Sequence, residues 1–545
     1  MEDAKTILSR WGELSGLRSP WDASWQTISD YALPRKGNIN RTETGPGTNS
    51  ANRLYDTTVI EAAEILANGH SGSIAPAGTQ WFGWEAPDDI KTDKADAWYR
   101  EASIKAAKIM AGGNFYTALN ECFVDRAAFG ICSMMALPHP QKVITFQAHP
   151  VGSYCIEEDA EGNVDTVYRR ACYGIRQLVQ MFGEDAINAN PKLAKSWEKF
   201  QSKGHNAEHH VVHGVFPRLN REPGKADKIN MPIASVWVAE DGKSVLERGG
   251  YQEFPGTVSR YLKRSGRDQA YGYAPFDQVK AAVLTANKTK QIAQVVGQKM
   301  AVPPVLIPDN LVGNVDLRPG GRTVFKSGSG AGELPREWAH TGQPQWLLEQ
   351  LADERETIRR VYHVDLFRMF ADREKMMTAR EVTELAAEKL MQFSPSFTLF
   401  TADFATLMNR VFGILFRAGV FGLPQDIPAE VIRQTTEGPE VPQPKTVYQS
   451  RFALAIRQVQ TAAGDRLVER ALQVAQVAPE AMDNIDLDAY LRESGRNDGA
   501  AEKILRPVKE RDAMREARAA AQQEQAQMMQ AAEMAKAAGS LGVQV

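Results

Sequence analysis

Apolar residues recur at spacings of three and four along much of the chain, and each such run predicts a helix with one buried face. The first covers residues 6–33, with Leu14, Leu17, Trp21, Trp25, Ile28 and Tyr31 on its stripe, and ends at Pro34. A polar Gly/Asn/Thr loop follows to about residue 51, and then a helix over about 56–70 places Val59, Ala62, Ala63, Leu66 and Ala67 on one side. Pro76-Ala77-Gly78 marks a turn before the aromatic run Trp81-Phe82-Gly83-Trp84, and further helices fit 92–112 and 114–129.

From about 133 to 262 the pattern becomes short β-rich runs. Val164–Tyr173 reads as a strand after the turn Glu161-Gly162-Asn163. Ile233–Ala239 and Val245–Arg248 flank Glu240-Asp241-Gly242-Lys243, whose Asp-Gly pair signals a hairpin. One short helix at about 175–183 interrupts this α+β region.

Beyond residue 275 the pattern is mostly helical again. Residues 277–300 carry Val279, Val283, Ala286, Ile292 and Val296 on one stripe with Lys280, Lys288, Lys290 and Lys299 beside it, a rod of roughly 36 Å. A second rod over 345–366 has Leu347, Leu351, Ile358 and Val361 in line. Between them lies a Pro/Gly-rich insert, 301–342, with strand-like Val305–Ile307 and Thr323–Phe325. A polar break at Arg368–Met377 follows, and Thr378 with Glu381 forms a capping box for the next helix. That helix runs to about Phe393, and Ser394-Pro395 starts a new helix or a kink. The last hundred residues are nearly all helical and end in an Ala/Gln/Met/Glu stretch, 512–536, whose small side chains frame no core of their own.

Composition narrows the function classes. With 545 residues, roughly two to four structural regions are expected. The 64 basic and 67 acidic residues leave a net charge of −3, which excludes a strong polyanion binder but suits weak, sliding contact with nucleic acid. Cys122, Cys132, Cys155 and Cys172 form no Cys-x-x-Cys pair, so neither a disulfide framework nor a structural zinc site is expected. Met1–Lys5 is polar, unlike a secretory signal. The apolar stretch Phe400–Phe416 is broken by Asp403, Asn409 and Arg410, so no membrane span is expected.

Chemical motifs are few. No Gly-x4-Gly-Lys-Ser/Thr loop is present, and the glycines at 328, 330 and 332 lack a strand-to-helix context. His209, Val211, His213 and Val215 alternate as on a strand, sending His210 to the opposite face, so the His205–His213 group reads as a solvated strand rather than a metal site. No catalytic, cofactor or metal residues are assigned. Arg368, Arg373 and Lys375, with Phe370, Met376 and Met377, sit on the break between two helices, where basic side chains can touch a DNA backbone without reading sequence.

Several ordered motifs resemble the head-to-tail connecting proteins of short-tailed, podovirus-like bacteriophages, over roughly residues 10–425. They begin with Trp21-x3-Trp25-x5-Tyr31, Pro34-Arg35 and Arg53-Leu54-Tyr55-Asp56-Thr57-Thr58. Ser73-Ile74-Ala75-Pro76-Ala77-Gly78, Trp81-Phe82, Asn114-Phe115-Tyr116, Phe129-Gly130 and Glu157-Glu158-Asp159-x2-Gly162 continue the series. Tyr271-Gly272-x-Ala274-Pro275 opens the first rod, where the family more often has serine at 274. Val302-Pro303-Pro304, Pro319-Gly320-Gly321, Val364-Asp365-Leu366-Phe367 and Met377-Thr378-Ala379-Arg380-Glu381-Val382 complete it.

The resemblance implies a predominantly helical α+β portal fold. Its wing would be 1–274 (helical to 132, β-rich over 133–262), its stem helices 275–300 and 343–367, and its clip 301–342. A tunnel loop at 368–378, a long wing helix and connector over 379–445, and a helical crown with tail over 446–545 would follow. It also implies a homo-oligomeric ring, usually a dodecamer, made in the host cytoplasm and placed at one capsid vertex of the virion. Double-stranded DNA would pass through it without sequence specificity during packaging and ejection. Its partners would be the terminase large subunit, major capsid and scaffolding proteins, and tail adaptors. Arg368, Arg373 and Lys375 would face DNA in the tunnel loop, Lys280, Lys288, Lys290 and Lys299 would line the stem, and Arg318, Arg322 and Lys326 would serve clip docking. Two alternatives stand beside this reading: a DNA-processing enzyme such as a terminase or nuclease, and another ring- or tube-forming head-completion or tail protein.

Overall fold

The computed structural model describes residues 2–34, 39, 54–222, 225, 227–264, 270–301, 305–306, 336–337, 345–368, 379–422, 424–435, 438–449, 464–476, 478–497 and 508–541. They fall into two compact units, Met1–Ser450 and Arg451–Val545.

The first unit opens with α1 (Ala4–Tyr31), which buries Ile7, Leu14, Trp25 and Ile28. Leu17, expected on that stripe, is instead 53% exposed, and Arg18 takes the covered place. Arg18 can do so because its guanidinium donates to the Tyr154 carbonyl at 2.7 Å and pairs with Asp22 at 2.9 Å. Helices α2 (Thr58–Ser73), α3 (Asp93–Gly112) and α4 (Phe115–Phe129) follow the predicted spans, with strand β1 (Phe82–Glu85) between α2 and α3. All five predicted stripe residues of α2 are buried. Thr92 caps α3 by accepting from the Ala95 amide.

Two antiparallel sheets form the β region. Strands β2 (Ile131–His139) and β3 (Val143–His149) join β9 (Gly256–Arg260) in the order β3-β2-β9. A five-stranded sheet orders β4 (Tyr154–Glu158), β5 (Val164–Gly174), β6 (Glu208–Pro217), β7 (Ile233–Ala239) and β8 (Ser244–Tyr251) consecutively. The single short helix expected near 175–183 is in fact two, α5 (Ile175–Asn188), kinked at Gly183, and α6 (Pro191–Lys203). They cover one sheet face through Ile175, Leu178, Ile187 and Leu193 on Val211 and Ala239. Helix α1 covers the other through Ile7 and Leu14 on Val212, Val236 and Val238. The histidine strand is therefore not solvated: β6 is the central strand, with Val211 to Val215 buried throughout. His213 stacks on Trp237 at 3.9 Å and bonds Ser235 Oγ at 2.9 Å, while His209 bonds Asp241.

Helix α7 (Pro275–Ala301) is followed by a two-residue antiparallel pairing of β10 (Val305–Leu306) with β11 (Arg336–Glu337). The other predicted strand there, Thr323–Phe325, lies outside the described residues. The second rod is broken rather than continuous: α8 (Gln345–Val361) ends at Tyr362-His363, and α9 (Val364–Arg368) restarts. His363 has φ 53°, a left-handed backbone that no helix can run through.

Beyond it, α10 (Ala379–Arg417) is one 39-residue helix with Pro395 inside, not two helices meeting at Ser394. By length and composition Pro395–Arg417 is apolar enough to cross a bilayer. Here it is a core helix, with Phe400, Phe404, Leu407, Met408 and Val411 buried. Its two charged interruptions are paired: Asp403 with Arg260 at 3.1 Å and Arg410 with Glu253 at 2.8 Å. Strands β12 (Arg433–Thr435) and β13 (Gly438–Glu440) form a hairpin, and β14 (Lys445–Tyr448) returns to pair antiparallel with β1.

The second unit contains α11 (464–475), α12 (Leu487–Asn497) and α13 (Val508–Leu541). Asp488 of α12 accepts from Arg511 at 3.0 Å and Arg515 at 2.5 Å, tying the start of α13 to it. Most described side chains of α13 are exposed, including Met514, Met528 and Met529.

Candidate conduit and subunit-contact surfaces

Helices α7 and α8 pair as an antiparallel hairpin, and its root is fixed by a few specific groups. Asn287 of α7 accepts the amides of Tyr55 and Asp56 at 2.7 and 3.1 Å, and its neighbour Gln291 donates to the Tyr55 hydroxyl at 3.1 Å. The Asp56 carboxylate takes two bonds from Arg355 of α8, at 2.6 and 2.9 Å, and accepts the Thr58 amide at the start of α2. Asn287 and Arg355 are thus level along the hairpin. Nearer its root, Tyr362 lies within electrostatic reach of Asp277. The two matches run in opposite chain order, which fixes the antiparallel arrangement. Burial alone would raise the Asp56 carboxyl, but Thr58 and Arg355 outweigh it and hold its pKa below the ordinary value.

Close backbone contact sets where α7 starts. Gly130, at φ 75°, ends α4 with no room for a side chain, since a Cβ would meet the Tyr273 carbonyl carbon at 2.3 Å. A Cβ on Gly272 would meet the Gly130 oxygen at 2.2 Å. Both glycines belong to motifs singled out in the sequence, and each is there because only glycine fits.

The buried face of α7 is confined to its first half: Phe276, Val279, Ala282, Val283, Ala286, Asn287 and Thr289 are covered. Ile292, expected on the buried stripe, is 41% exposed, because α7 runs past the helices that cover its root. Lys280 and Lys290 are half-buried, and Lys288 and Lys299 are exposed. Lys288 bonds only a neutral group among the described residues, Gln291, at 3.0 Å.

Helix α9 is docked on α2. The Phe367 ring lies against Gly69, where a Cβ would come within 2.3 Å of it, and Arg368 pairs with Glu61. Arg368 is thus exposed and already partnered at the entrance to the segment that follows. Arg318, Arg322, Lys326, Arg373 and Lys375 lie outside the described residues. Among the described residues, no group of three or more His, Cys, Asp or Glu side chains gathers for a metal ion. Sequence reasoning missed Asp56, Asn287 and Arg355 as the root of the hairpin, although the run Arg53–Thr58 had been noted; a buried Asp before a helix and an Arg on a distant rod carry no spacing signal.

Residues 4–505 match the family model for "Bacteriophage head to tail connecting protein". The chain belongs to that family. It is also 27% identical over 547 residues to the "Portal protein" of Salmonella phage epsilon15, covering 98% of this chain and 94% of that one. With the "Probable portal protein" of Bordetella phage BPP-1 it shares 27% identity over 497 residues, covering 90% and 86% respectively. As a head-to-tail connector, the protein has the mixed helix-and-strand build, α7–α8 hairpin and long α10 described above, and its function is that of a phage portal. Neither relative is named as a terminase, a nuclease or a tail protein.

Proposed function

We propose that the protein works mechanically, as a ring at one capsid vertex through which double-stranded DNA is packaged and ejected. The observation that carries this is the hairpin α7–α8, which rises from a rigid root and leaves Ile292, Val295, Trp346 and Leu348 exposed along its outer part. A lone subunit wets that apolar surface, whereas a head-to-tail contact repeated by rotation covers it and closes. In this reading α7 and α8 are the stem, 301–342 is the clip, 368–378 is the tunnel loop, α10 is the long wing helix and the second unit is the crown. The wing is the remainder of the first unit.

The ring is a dodecamer, a virion component built from chains made in the host cytoplasm. It has no chemistry of its own: a terminase large subunit, docked through clip residues including Arg318, Arg322 and Lys326, supplies the work. Capsid, scaffolding and tail adaptor proteins bind elsewhere on the ring. Arg373 and Lys375 meet the DNA backbone through their positive charge without reading sequence, and Arg368, paired with Glu61, closes the helix before them. A net charge of −3 suits a channel that must not hold DNA fast, because many neutralised phosphates would arrest sliding. The test is the double variant Arg373→Ala, Lys375→Ala in an infectious particle. It should form rings normally but change DNA packaging or retention; unchanged packaging and retention would remove these side chains from the mechanism.

A further inference from the structure

The two stem helices present opposite chemistries to their surroundings. On α7, Leu284, Lys288, Ile292, Val295 and Lys299 follow spacings of four, four, three and four, so they share one face. Leu284, Ile292 and Val295 are 37%, 41% and 43% exposed. Asp277 is the only acid on α7, and it is engaged at the root, accepting the Ala274 amide at 2.9 Å. On α8, Glu349, Asp353 and Glu356 follow spacings of four and three on the side away from buried Leu347, Leu351 and Ile358. Trp346 and Leu348 flank this acidic strip at 60% and 56% exposure. Glu349 and Asp353 make no ion pair among the described residues, and Glu356 pairs only with Arg360 one turn away, at 3.3 Å. One helix is basic and apolar outward, and the other acidic and apolar outward.

The two faces also match in height. Asn287 and Arg355 grip the same Tyr55–Asp56 turn and so mark one level. Both helices rise about 1.5 Å per residue, so equal steps outward from that level keep pace. One step brings Lys288 level with Glu354, beside Asp353. Five and eight steps bring Ile292 and Val295 level with positions 350 and 347, beside Trp346, which shares the face of Glu349 and Asp353. A rotation about a channel parallel to the hairpin shifts a neighbour sideways without changing its height. Ile292 and Val295 on α7 therefore come level with Trp346 on the next copy's α8, and Lys288 with Asp353.

We propose that α7 of each subunit packs against α8 of the next copy, with Ile292 and Val295 on Trp346, and Lys288 facing Asp353. The contact is heterologous, so it propagates in one direction and closes as a ring. The apolar side chains supply burial, and the charges set partner and register. Lys288 then belongs to the subunit seam rather than to the channel wall. This inference rests on the ring reading above.

The test uses the full chain, with assembly followed by sedimentation velocity and negative-stain images. Lys288→Glu and Asp353→Lys, each alone, place like charges across the seam and should shift ring formation to at least about tenfold higher protein concentration, about 1.4 kcal/mol per contact. Mixing the two variants in equal amounts should restore rings, because alternating copies then offer either the native pair or its reversed equivalent. The double variant in one chain should assemble too, which separates a lost contact from a lost fold. If both single variants assemble like the unaltered chain, or if neither the mixture nor the double variant recovers, the seam is wrong although the ring stands. If the unaltered chain makes no ring at all, the ring reading itself falls.

Discussion

Asp56 joins three helices: its carboxylate pairs with Arg355 on α8 and accepts the Thr58 amide of α2, and its backbone amide donates to Asn287 on α7. Asp56→Ala should destabilise the first unit by about 1.5–3 kcal/mol, the usual value for a lost hydrogen bond to a charged group, measured by denaturant melts. The folded pKa of Asp56 lies below its unfolded one, so its contribution is complete above roughly pH 4 and is lost as pH falls through the lowered value. Histidine gives a second pH window. Burial, then Arg169, holds His213 well below its usual pKa, and burial, Arg169 and His213 do the same for His149. Below about pH 6.5 the unfolded chain takes protons that these two folded rings refuse, so stability should fall with pH there, by at most about 1.4 kcal/mol per pH unit for each ring. Melts between pH 7.5 and 5 should show a shallower slope for His213→Phe than for the unaltered chain; equal slopes would mean the ring titrates freely. Gly69→Ala should detach α9 from α2 at a cost of about 1–3 kcal/mol, because the Phe367 ring already fills the space of the added methyl. Protection of the α9 amides from hydrogen exchange would report it.

Elements of strong helical period, α2, α3 and α4, were legible from apolar spacing because each buries one continuous stripe in a covered layer. The misses have physical causes. Leu17 and Arg18 exchange expected places because a carbonyl and Asp22 wait inside for the guanidinium, and spacing does not report partners. Helix α6 escaped notice although Asn190, bonded to the Lys192 amide, and Pro191 are a start signal, since little of it besides Leu193 is buried. Strand β6 was read as wet because its histidines are polar; its central place depends on α1 and on α5 with α6 closing both faces. The pairing of β1 with β14 joins segments over three hundred residues apart, beyond any local pattern. Pro395 was read as a possible start, yet α10 runs through it, with Arg126 donating to the Ser396 carbonyl at 2.7 Å just beyond. Buried ion pairs lock this helix to the sheets: Arg260 bonds both Glu158 and Asp403. Burial raises the Asp403 carboxyl even beside that arginine. Arg260→Met would leave buried Asp403 without its partner, while Glu158 keeps Lys263, and should cost about 3–5 kcal/mol, with the loss of melting temperature as the measure.

At the scale of the whole molecule, the family is settled by a match over residues 4–505, while the architecture shows how a subunit can serve a channel. A root of specific polar contacts holds the α7–α8 hairpin, and its outer half is left with apolar and charged side chains facing outward. The sequence made both rods visible through their stripes, but the division of each into a covered root and an open outer half became visible only in three dimensions. Of the basic groups expected to meet DNA, Arg368 pairs with Glu61 and Lys288 is exposed, while Arg373 and Lys375 lie outside the described residues. The central claim is that identical copies close around a channel. Images of the purified full-length protein viewed along its axis test it most directly. The account predicts rings, twelvefold, with an open centre wide enough for a DNA duplex, roughly 20 Å; particles that stay single, or that pair without a central opening, would contradict it.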